Sequence, residues 1–214
     1  MNGIRLKDRH IGPGNPLFFI AEAGVNHNGD VDLALQLVDA AAAAGADAVK
    51  FQTFRAENLI TRTAPKAPYH TETTGSDEVQ TWFELLKTQE LTPDMHRTII
   101  ARCGEKGIMF LSTPYDNESV DLLDELDVPL YKVASTDANN IPFLEYMASK
   151  GRPIILSTAM CTLDEVKASA QAIQAAGIAD LLVMQCTGSY PAPVAEANLR
   201  AMNTACTITC CIIT

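Results

Sequence analysis

AlaAspAlaValLysPheGlnThrPhe, residues 46–54, is the stretch that decides the fold of this chain. Its apolar run ends in Lys50 and Gln52, which occupy alternate positions. Alternate side chains of a β-strand point to the same face, so we expect both to project to one side. Apolar flanks on both sides of the lysine are typical of a parallel strand covered by helices. Because lysine is seldom buried unpaired, a lone example predicts an ion pair.

Strand and helix patterns alternate along most of the chain. Strands are predicted at 17–23, 46–52, 108–112, 129–134, 153–157 and 180–185, and helices at 31–44, 77–88, 92–106, 117–126, 141–150 and 162–176. Such alternation predicts right-handed βαβ units and a parallel sheet. Polar residues at nearly every strand end favour a TIM-type (β/α)8 barrel over a doubly wound sheet, because barrel enzymes collect their active site there.

The predicted barrel domain spans residues 17–204. Residues 1–16 are punctuated by Gly and Pro and are predicted to be an N-terminal lead-in. The last ten residues, 205–214, match neither a helix nor a further βα unit. A barrel typically needs ~250 residues, so we expect one that is truncated after about six βα units and ends in an atypical tail.

Composition excludes several classes of protein. The chain has 214 residues, 47% of them hydrophobic, and a net charge of −10 with a pI near 4.8. Nucleic-acid binders usually carry a basic face, so we expect no nucleic-acid partner. No signal-like or membrane-length apolar run occurs, which predicts a cytoplasmic protein without a membrane contact. The six cysteines lack paired CxxC spacing, and no disulfide framework or zinc site is predicted.

The polar side chains at the strand ends have a shared chemistry. Lys50 and Lys132 come from different strands and supply point charges, while Ser and Thr hydroxyls supply adaptable donors. Together they predict a site for a phosphate and a carboxylate. The strand-end residues are Glu22, Lys50, Gln52, Ser112, Thr113, Lys132, Ser135, Ser157, Thr158, Gln185, Thr187 and Tyr190.

Glu22 differs from the rest because it is a carboxylate. Nearby positive charge keeps it ionised, so it is expected to orient a hydroxyl or a water, or to act in proton transfer. An ion pair with Lys50 on the next strand is an alternative compatible with these roles. Among the histidines, His27 is either a ligand or a loop-fixing residue, and His10 and His96 are expected at the surface. No two histidines have metal-ligand spacing, so no metal ligand is assigned.

Six motifs follow one another in order along the chain. They are PheIleAlaGluAlaGlyValAsnHisAsnGlyAsp (19–30), AlaGlyAlaAspAlaValLysPheGlnThrPhe (44–54), PheLeuSerThrProTyrAsp (110–116), ValProLeuTyrLysValAlaSer (128–135), LysGlyArgProIleIleLeuSerThrAlaMet (150–160) and GlnCysThrGlySerTyrProAlaPro (185–193). In these motifs the chain closely resembles the N-acetylneuraminate (sialic acid) synthase family, which includes legionaminate and pseudaminate synthases.

The resemblance implies a phosphoenolpyruvate-dependent condensation on a TIM barrel. The acceptor would be N-acetylmannosamine or a related 2-acetamido sugar, and the products a nonulosonic (sialic) acid and phosphate. Glu22, Lys50 and Lys132 would be catalytic. Carried over residue by residue, the phosphoenolpyruvate ligands would be Lys50, Thr113, Lys132, Ser135 and Ser157, and the sugar contacts Glu22, Gln52 and Tyr190.

Departures from the family pattern qualify what the resemblance implies. The family uses a divalent cation, Mn²⁺ or Mg²⁺, held by two histidines on later strands, and this chain contains neither histidine. From the resemblance we also expect a chain without the C-terminal antifreeze-like domain that completes the family's homodimeric site. Gly188 and Ser189 stand where some members have Asn before TyrPro, and Ala159 replaces a common glycine.

Other functions remain open at this point. Legionaminate synthesis would use the same chemistry, and one sequence does not choose between the acceptor sugars. An inactive fragment without its metal site would associate through exposed sheet edges. A Schiff-base aldolase would use Lys50 or Lys132 as a desolvated amine, although hydroxyl and amide neighbours favour anion binding.

Overall fold

The computed structural model describes residues 3–6, 9–65, 81–189, 192–205 and 210–213. The strands are β1 (Ile4–Leu6), β2 (Arg9–Ile11), β3 (Ile20–Gly24), β4 (Ala48–Thr53), β5 (Met109–Pro114), β6 (Tyr131–Val133), β7 (Ile154–Ser157), β8 (Leu181–Gln185) and β9 (Cys210–Ile213). The α-helices are α1 (Val31–Ala43), α2 (Ala56–Leu59), α3 (Trp82–Thr88), α4 (Pro93–Lys106), α5 (Asn117–Glu125), α6 (Ile141–Ala148), α7 (Leu163–Ala175) and α8 (Ala201–Ala205).

Seven of the strands run parallel in two sheets. The first sheet has the order β3-β4-β5 and the second the order β6-β7-β8-β9, and β5 and β6 lie side by side. Helices follow most of these strands, so the predicted parallel α/β fold is confirmed. Closure into a (β/α)8 barrel stays a prediction, because no ladder joins β5 to β6 or β9 to β3 within the described ranges.

The end of the chain differs from its prediction. Cys210–Ile213 pairs in parallel with β8, in a register that sets Leu182 opposite Cys210 and Gln185 opposite Ile213. The prediction that residues 205–214 match no further βα unit is therefore wrong for these four residues. They are apolar, uncharged and rich in β-prone side chains, which suits a strand added to a buried parallel sheet.

Local signals in the sequence set the helix ends. Asp30 caps α1 by accepting hydrogen bonds from the backbone N–H groups of Asp32 and Leu33. Thr92 caps α4, whose first residue is Pro93, and α4 stops at Gly107 with a φ of 69°. A proline at the first position and a left-handed glycine at the end are the signals from which these boundaries were predicted.

Two apolar layers hold the sheets. Helices pack on the outer face, where each of the longer ones contributes fully buried side chains, among them Val38, Ile99, Val120, Leu144 and Ile173. The inner face carries a separate cluster that includes Ala48, Leu111, Leu130, Ile155 and Leu182. Each layer buries apolar surface that β-strands alone would expose to water.

An antiparallel hairpin made of β1 and β2 lies against the inner layer near the strand starts. Ile4, Leu6 and Ile11 are buried in the same cluster as Ala48, the first residue of β4. Arg9 also pairs with the carboxylate of Asp47, just before β4. The lead-in predicted for residues 1–16 thus contains a hairpin that covers the N-terminal side of the inner cluster.

Among the helices described, none is long and apolar enough to cross a membrane.

Truncation of Ile4 tests the packing of this hairpin. We expect Ile4→Ala to lower the free energy of unfolding by about 2–4 kcal/mol, because it leaves a cavity at a buried site. Leu17→Ala is the matched control, since Leu17 is 74% exposed and its truncation removes little packing. Urea denaturation of both variants measures the difference, and equal losses would contradict the packing assigned to the hairpin.

Candidate active site

Strand β4 places Lys50 and Gln52 on the inner face, two and four residues beyond Ala48. The pairing of β4 with β5 sets Gln52 opposite Thr113, and Lys50 Nζ donates a hydrogen bond to Thr113 Oγ1 at 3.2 Å. Alternation of side chains along the two strands therefore brings the lysine and the threonine together. The structure thus brings together two residues that were predicted to belong to one site, Lys50 and Thr113.

Glu22 on β3 is the carboxylate partner of Lys50. The two residues are opposite one another in the β3–β4 register, and Glu22 Oε2 lies 2.7 Å from Lys50 Nζ. Gly24 follows at an irregularity in this pairing, with a φ of 53°. A Cβ there would lie 3.3 Å from Glu22 Oε1 and 3.8 Å from Gln52 Nε2, so Glu22 and Gln52 flank the same glycine. The carboxylate is half exposed, whereas the lysine is buried.

A second buried lysine, Lys132, lies at the middle of β6. Its ammonium donates to the carbonyl oxygen of Val133 at 3.0 Å and to Ser157 Oγ on the neighbouring strand β7. Ser135, just past β6, accepts a hydrogen bond from the backbone N–H of Ala159 at 3.0 Å. Ser135 and Ser157 thus lie at the ends of β6 and β7, and the ammonium of Lys132 reaches the Ser157 hydroxyl from the middle of β6.

Electrostatics link the two lysines. Burial, and then the positive charge of Lys50, lower the pKa of Lys132 to about 8, while Cys186 and Glu22 act in the opposite direction. Lys50 and Lys132 are only 7% and 6% exposed, respectively. Two buried ammonium groups, of which only that of Lys50 pairs with a carboxylate in the described residues, leave an excess of positive charge, which favours binding of an anion.

The remaining strand-end residues have mixed placements. Thr158 donates to the carbonyl of Met184 at 2.8 Å, which is a structural contact. Gln185 and Thr187 face the backbone that follows β8. Tyr190, the predicted sugar contact, lies outside the described residues. Cys186 was not predicted to belong to the site; it lies near Lys132 and acts to raise the pKa of that lysine.

His27 is buried behind the end of β3. Its Nδ1 accepts a hydrogen bond from the backbone N–H of Gly29 at 3.0 Å, and its Nε2 has no hydrogen-bond partner in the described part of the chain. Burial lowers the pKa of His27 to about 4, with a smaller contribution from His96. Of the two predicted roles, the Gly29 contact supports the loop-fixing one.

The prediction that His96 lies at the surface is wrong. Its ring is fully buried, and its two nitrogens contact Thr92 O and Thr53 Oγ1. The spacing of His96, Ile99 and Cys103 along α4 could have predicted the burial of His96. Residues three and four apart share one helix face, and Ile99 and Cys103 on that face are buried.

The residues described do not fit a divalent cation. Within the described ranges, no group of three or more His, Cys, Asp or Glu side chains is arranged to hold a metal ion. Glu22, the carboxylate nearest the lysine pair, is already paired with Lys50. The described residues are therefore assigned no metal-binding role.

A family comparison identifies the protein class. The NeuB family model matches residues 37–209, which include both lysines. The chain belongs to the NeuB family. It is 42% identical over 208 residues to an N,N'-diacetyllegionaminic acid synthase of Legionella pneumophila, covering 95% of this chain and 57% of that protein. It is 44% identical over 185 residues to the enzyme of the same name from Campylobacter jejuni, covering 86% of this chain and 55% of that protein.

Solved structures show the same relationship. The N-acetylneuraminic acid synthetase of Leptospira borgpetersenii aligns with a TM-score of 0.83 and 32% identity, over 98% of this chain and 68% of that one. A 3-deoxy-D-arabino-heptulosonate 7-phosphate synthase of Thermotoga maritima aligns with a TM-score of 0.60 at 14% identity, over 87% of this chain and 58% of that one, and shows a similar fold only. The NeuB chain spans a little more than half the length of the two legionaminic acid synthases.

Acid should destabilise the fold through His27. The unfolded histidine takes up a proton near pH 6.5, whereas the folded one resists protonation down to about pH 4. The contribution of His27 to the free energy of unfolding is therefore fully present above the pKa of the unfolded histidine. It falls by up to roughly 3 kcal/mol as the pH drops toward the pKa of the folded histidine. Urea unfolding between pH 7 and 4.5 should show a shallower loss in His27→Gln than in the wild type. His10→Ala, at an exposed histidine, should leave the slope unchanged, and an unaltered slope in His27→Gln would refute the assignment.

The ionisation of Lys132 should depend on Lys50. Lys50→Met removes a neighbouring positive charge, so we expect the pKa of Lys132 to rise above its value of about 8. NMR titration of ¹³C-labelled lysine side chains measures this pKa. Lys167→Met is the control, because Lys167 is on α7 and pairs only with Asp164 among the contacts described. A pKa that stays constant in Lys50→Met would show that the two ammonium groups do not interact.

Proposed function

We propose that this NeuB chain binds phosphoenolpyruvate and condenses it with a 2-acetamido sugar on a (β/α)8 barrel, giving a nonulosonic acid and phosphate. The observation that supports this most directly is the pair of buried lysines surrounded by hydroxyl donors. Phosphoenolpyruvate carries a phosphate and a carboxylate, and such a ligand matches two separated cationic positions. The names of the relatives agree with this class of reaction.

The two lysine groups would hold the two ends of the ligand. Lys50 with Thr113 forms one donor set, and Lys132 with Ser157 and Ser135 the other. Because a bound anion favours the charged form of a nearby amine, binding would raise the pKa of Lys132 toward its ordinary value. Holding both ends fixes the orientation of the enol carbon that attacks the sugar aldehyde.

Glu22 and Gln52 would face the sugar. The Glu22 carboxylate is half exposed beside the buried lysine, so it remains open to a second ligand. In the proposed reaction the enol carbon bonds to the aldehyde carbon, and the aldehyde oxygen takes up a proton. Water adds to the cationic carbon that carries the phosphate and gives up a proton, and the bond from that carbon to the phosphate oxygen then breaks as the ketone forms. We assign to Glu22 either a hydrogen bond from a sugar hydroxyl or acceptance of the proton from that water.

The acceptor sugar is the finer part of the proposal. Identity to the legionaminic acid synthases is 42% and 44%, against 36% to the mouse and human N-acetylneuraminate-9-phosphate synthases. This difference favours a legionaminate-type acceptor over N-acetylmannosamine or its phosphate. A requirement for Mn²⁺ or Mg²⁺, a homodimer and a cytoplasmic location remain predictions.

One observation supports a second function. A buried lysine with a lowered pKa is the usual nucleophile of Schiff-base aldolases, and Lys132 has this property. Its ammonium, however, already donates to two oxygen atoms, which is the pattern of an anion-binding lysine. Borohydride reduction in the presence of pyruvate would trap an adduct on Lys132 only if this second function is correct.

Calorimetric titration with phosphoenolpyruvate tests the binding half of the proposal on the chain itself. We expect Lys50→Met and Lys132→Met to weaken binding by about 100-fold each, because each removes a charged hydrogen-bond donor worth roughly 2–3 kcal/mol. Lys167→Met should bind as the wild type does. Unchanged affinity in both site variants would contradict the proposal.

Phosphate release tests the catalytic half. We expect this chain, joined to the part of the Campylobacter jejuni synthase that it does not span, to release phosphate from phosphoenolpyruvate when Mn²⁺ and an acceptor sugar are added. N-acetylmannosamine and the 2,4-diacetamido precursor of legionaminic acid are compared as acceptors. No release with either sugar, while the intact relative is active under the same conditions, would count against the condensation.

A further inference from the structure

Two hydroxyl side chains lie on the helix-facing side of the sheet, where the neighbouring positions are aromatic. Thr53 alternates with Phe51 on β4, and Ser112 alternates with Phe110 on β5. Both hydroxyl residues are buried. A polar group buried in such a layer destabilises the fold unless it forms hydrogen bonds, so the partners of these two hydroxyls decide their effect on stability.

The two hydroxyls and His96 form one directed hydrogen-bond chain. His96 Nδ1 lies 2.9 Å from the carbonyl of Thr92, which accepts only, so Nδ1 carries the proton. Burial lowers the pKa of His96, and the neutral ring leaves Nε2 as an acceptor for the Thr53 hydroxyl at 2.9 Å. Thr53 Oγ1 then accepts from the Ser112 hydroxyl at 2.7 Å. Each proton in the chain has one acceptor.

The hydrogen bonds from Ser112 through Thr53 to His96 join β4 to β5. They do so at the positions next to the residues whose side chains face the lysines. Thr53 follows Gln52, Ser112 precedes Thr113, and Gln52 and Thr113 are opposite one another in the register. A slip of one residue turns every side chain of a strand to the other face. Apolar contacts tolerate small shifts, whereas a slip would leave buried donors and acceptors unpaired at about 1–3 kcal/mol each.

We propose that Thr53, Ser112 and His96 are positioning residues, which hold the C-terminal ends of β4 and β5 in the register that directs Lys50 and Thr113 at the anion. The inference rests on the proposed function, because phosphoenolpyruvate is the anion used to detect it. None of the three acts on the ligand directly. They act through the strand ends from the opposite face of the sheet.

Ser169 provides a matched control for this idea. Its hydroxyl is as buried as those of Thr53 and Ser112 and lies 2.5 and 2.8 Å from the carbonyl oxygens of Ala138 and Glu165, either of which can accept its single proton. It lies on α7, and no described contact joins it to either lysine. Ser169→Ala should therefore lower the free energy of unfolding by about as much as removal of the Thr53 or Ser112 hydroxyl, without an effect on the lysine site.

The experiment measures phosphoenolpyruvate affinity and unfolding free energy for the same set of variants of the full chain. We expect Thr53→Val to weaken phosphoenolpyruvate binding about 10-fold. This fold-change corresponds to the net free energy of one hydrogen bond, here the one that holds the strand ends in position. Thr53→Ser, which keeps the hydroxyl, should stay within about 2-fold of the wild type. Ser169→Ala should lose similar stability with its affinity unchanged. Ser112→Ala provides a second network variant in case Thr53→Val does not fold.

A double-mutant cycle tests whether Thr53 acts through Thr113. The effect of Thr53→Val should be smaller in a Thr113→Val background, because the displaced group is already gone. Phosphoenolpyruvate binding that is unchanged in Thr53→Val and Ser112→Ala would overturn the positioning role and leave the proposed function standing. Equal affinity losses in Thr53→Val and Ser169→Ala would also overturn it. A wild-type chain that does not bind phosphoenolpyruvate at all would overturn both.

Discussion

The burial of two ammonium groups is the constraint on which the rest of this structure depends. A lysine removed from water without compensation loses its proton or unfolds its surroundings. Here Lys50 keeps a carboxylate from β3 and a hydroxyl from β5, and Lys132 keeps a carbonyl and a hydroxyl. These partners come from different strands, so the site exists only when the parallel strands are assembled in register.

The helix-facing layer has to supply that register, and its composition shows a compromise. Most of its residues are apolar, and they stabilise the fold without specifying the register of the strands. The hydrogen bonds among Ser112, Thr53 and His96 specify the register. They add little net stability, because they replace hydrogen bonds to water. The two kinds of contact have separate effects, and a variant that alters one need not alter the other.

Much of this could be predicted from the sequence, since the relevant signals are local. Strand–helix alternation, the caps at Asp30, Thr92 and Gly107, and the strand-end position of Lys50 depend on near neighbours. His96 could not be placed from its own chemistry, because its burial is satisfied by Thr53 from a strand 43 residues away in sequence. The pairing of Cys210–Ile213 was missed for a related reason: a short β-prone run has no fixed partner until a strand with a free edge is available, here the side of β8 that faces away from β7.

The N-terminal hairpin has a consequence for synthesis. Ile4 and Leu6 are buried in one cluster with Leu182 and Met184, which belong to β8 and lie far along the sequence from the hairpin. The hairpin therefore cannot reach its final packing until β8 has been translated. Contacts so distant in sequence are slow to form, and the apolar side chains of the nascent hairpin stay exposed while translation continues. The hairpin strands are made well before the β8 residues that help to bury them, so early folding of this protein depends on protecting their apolar side chains from association during that interval.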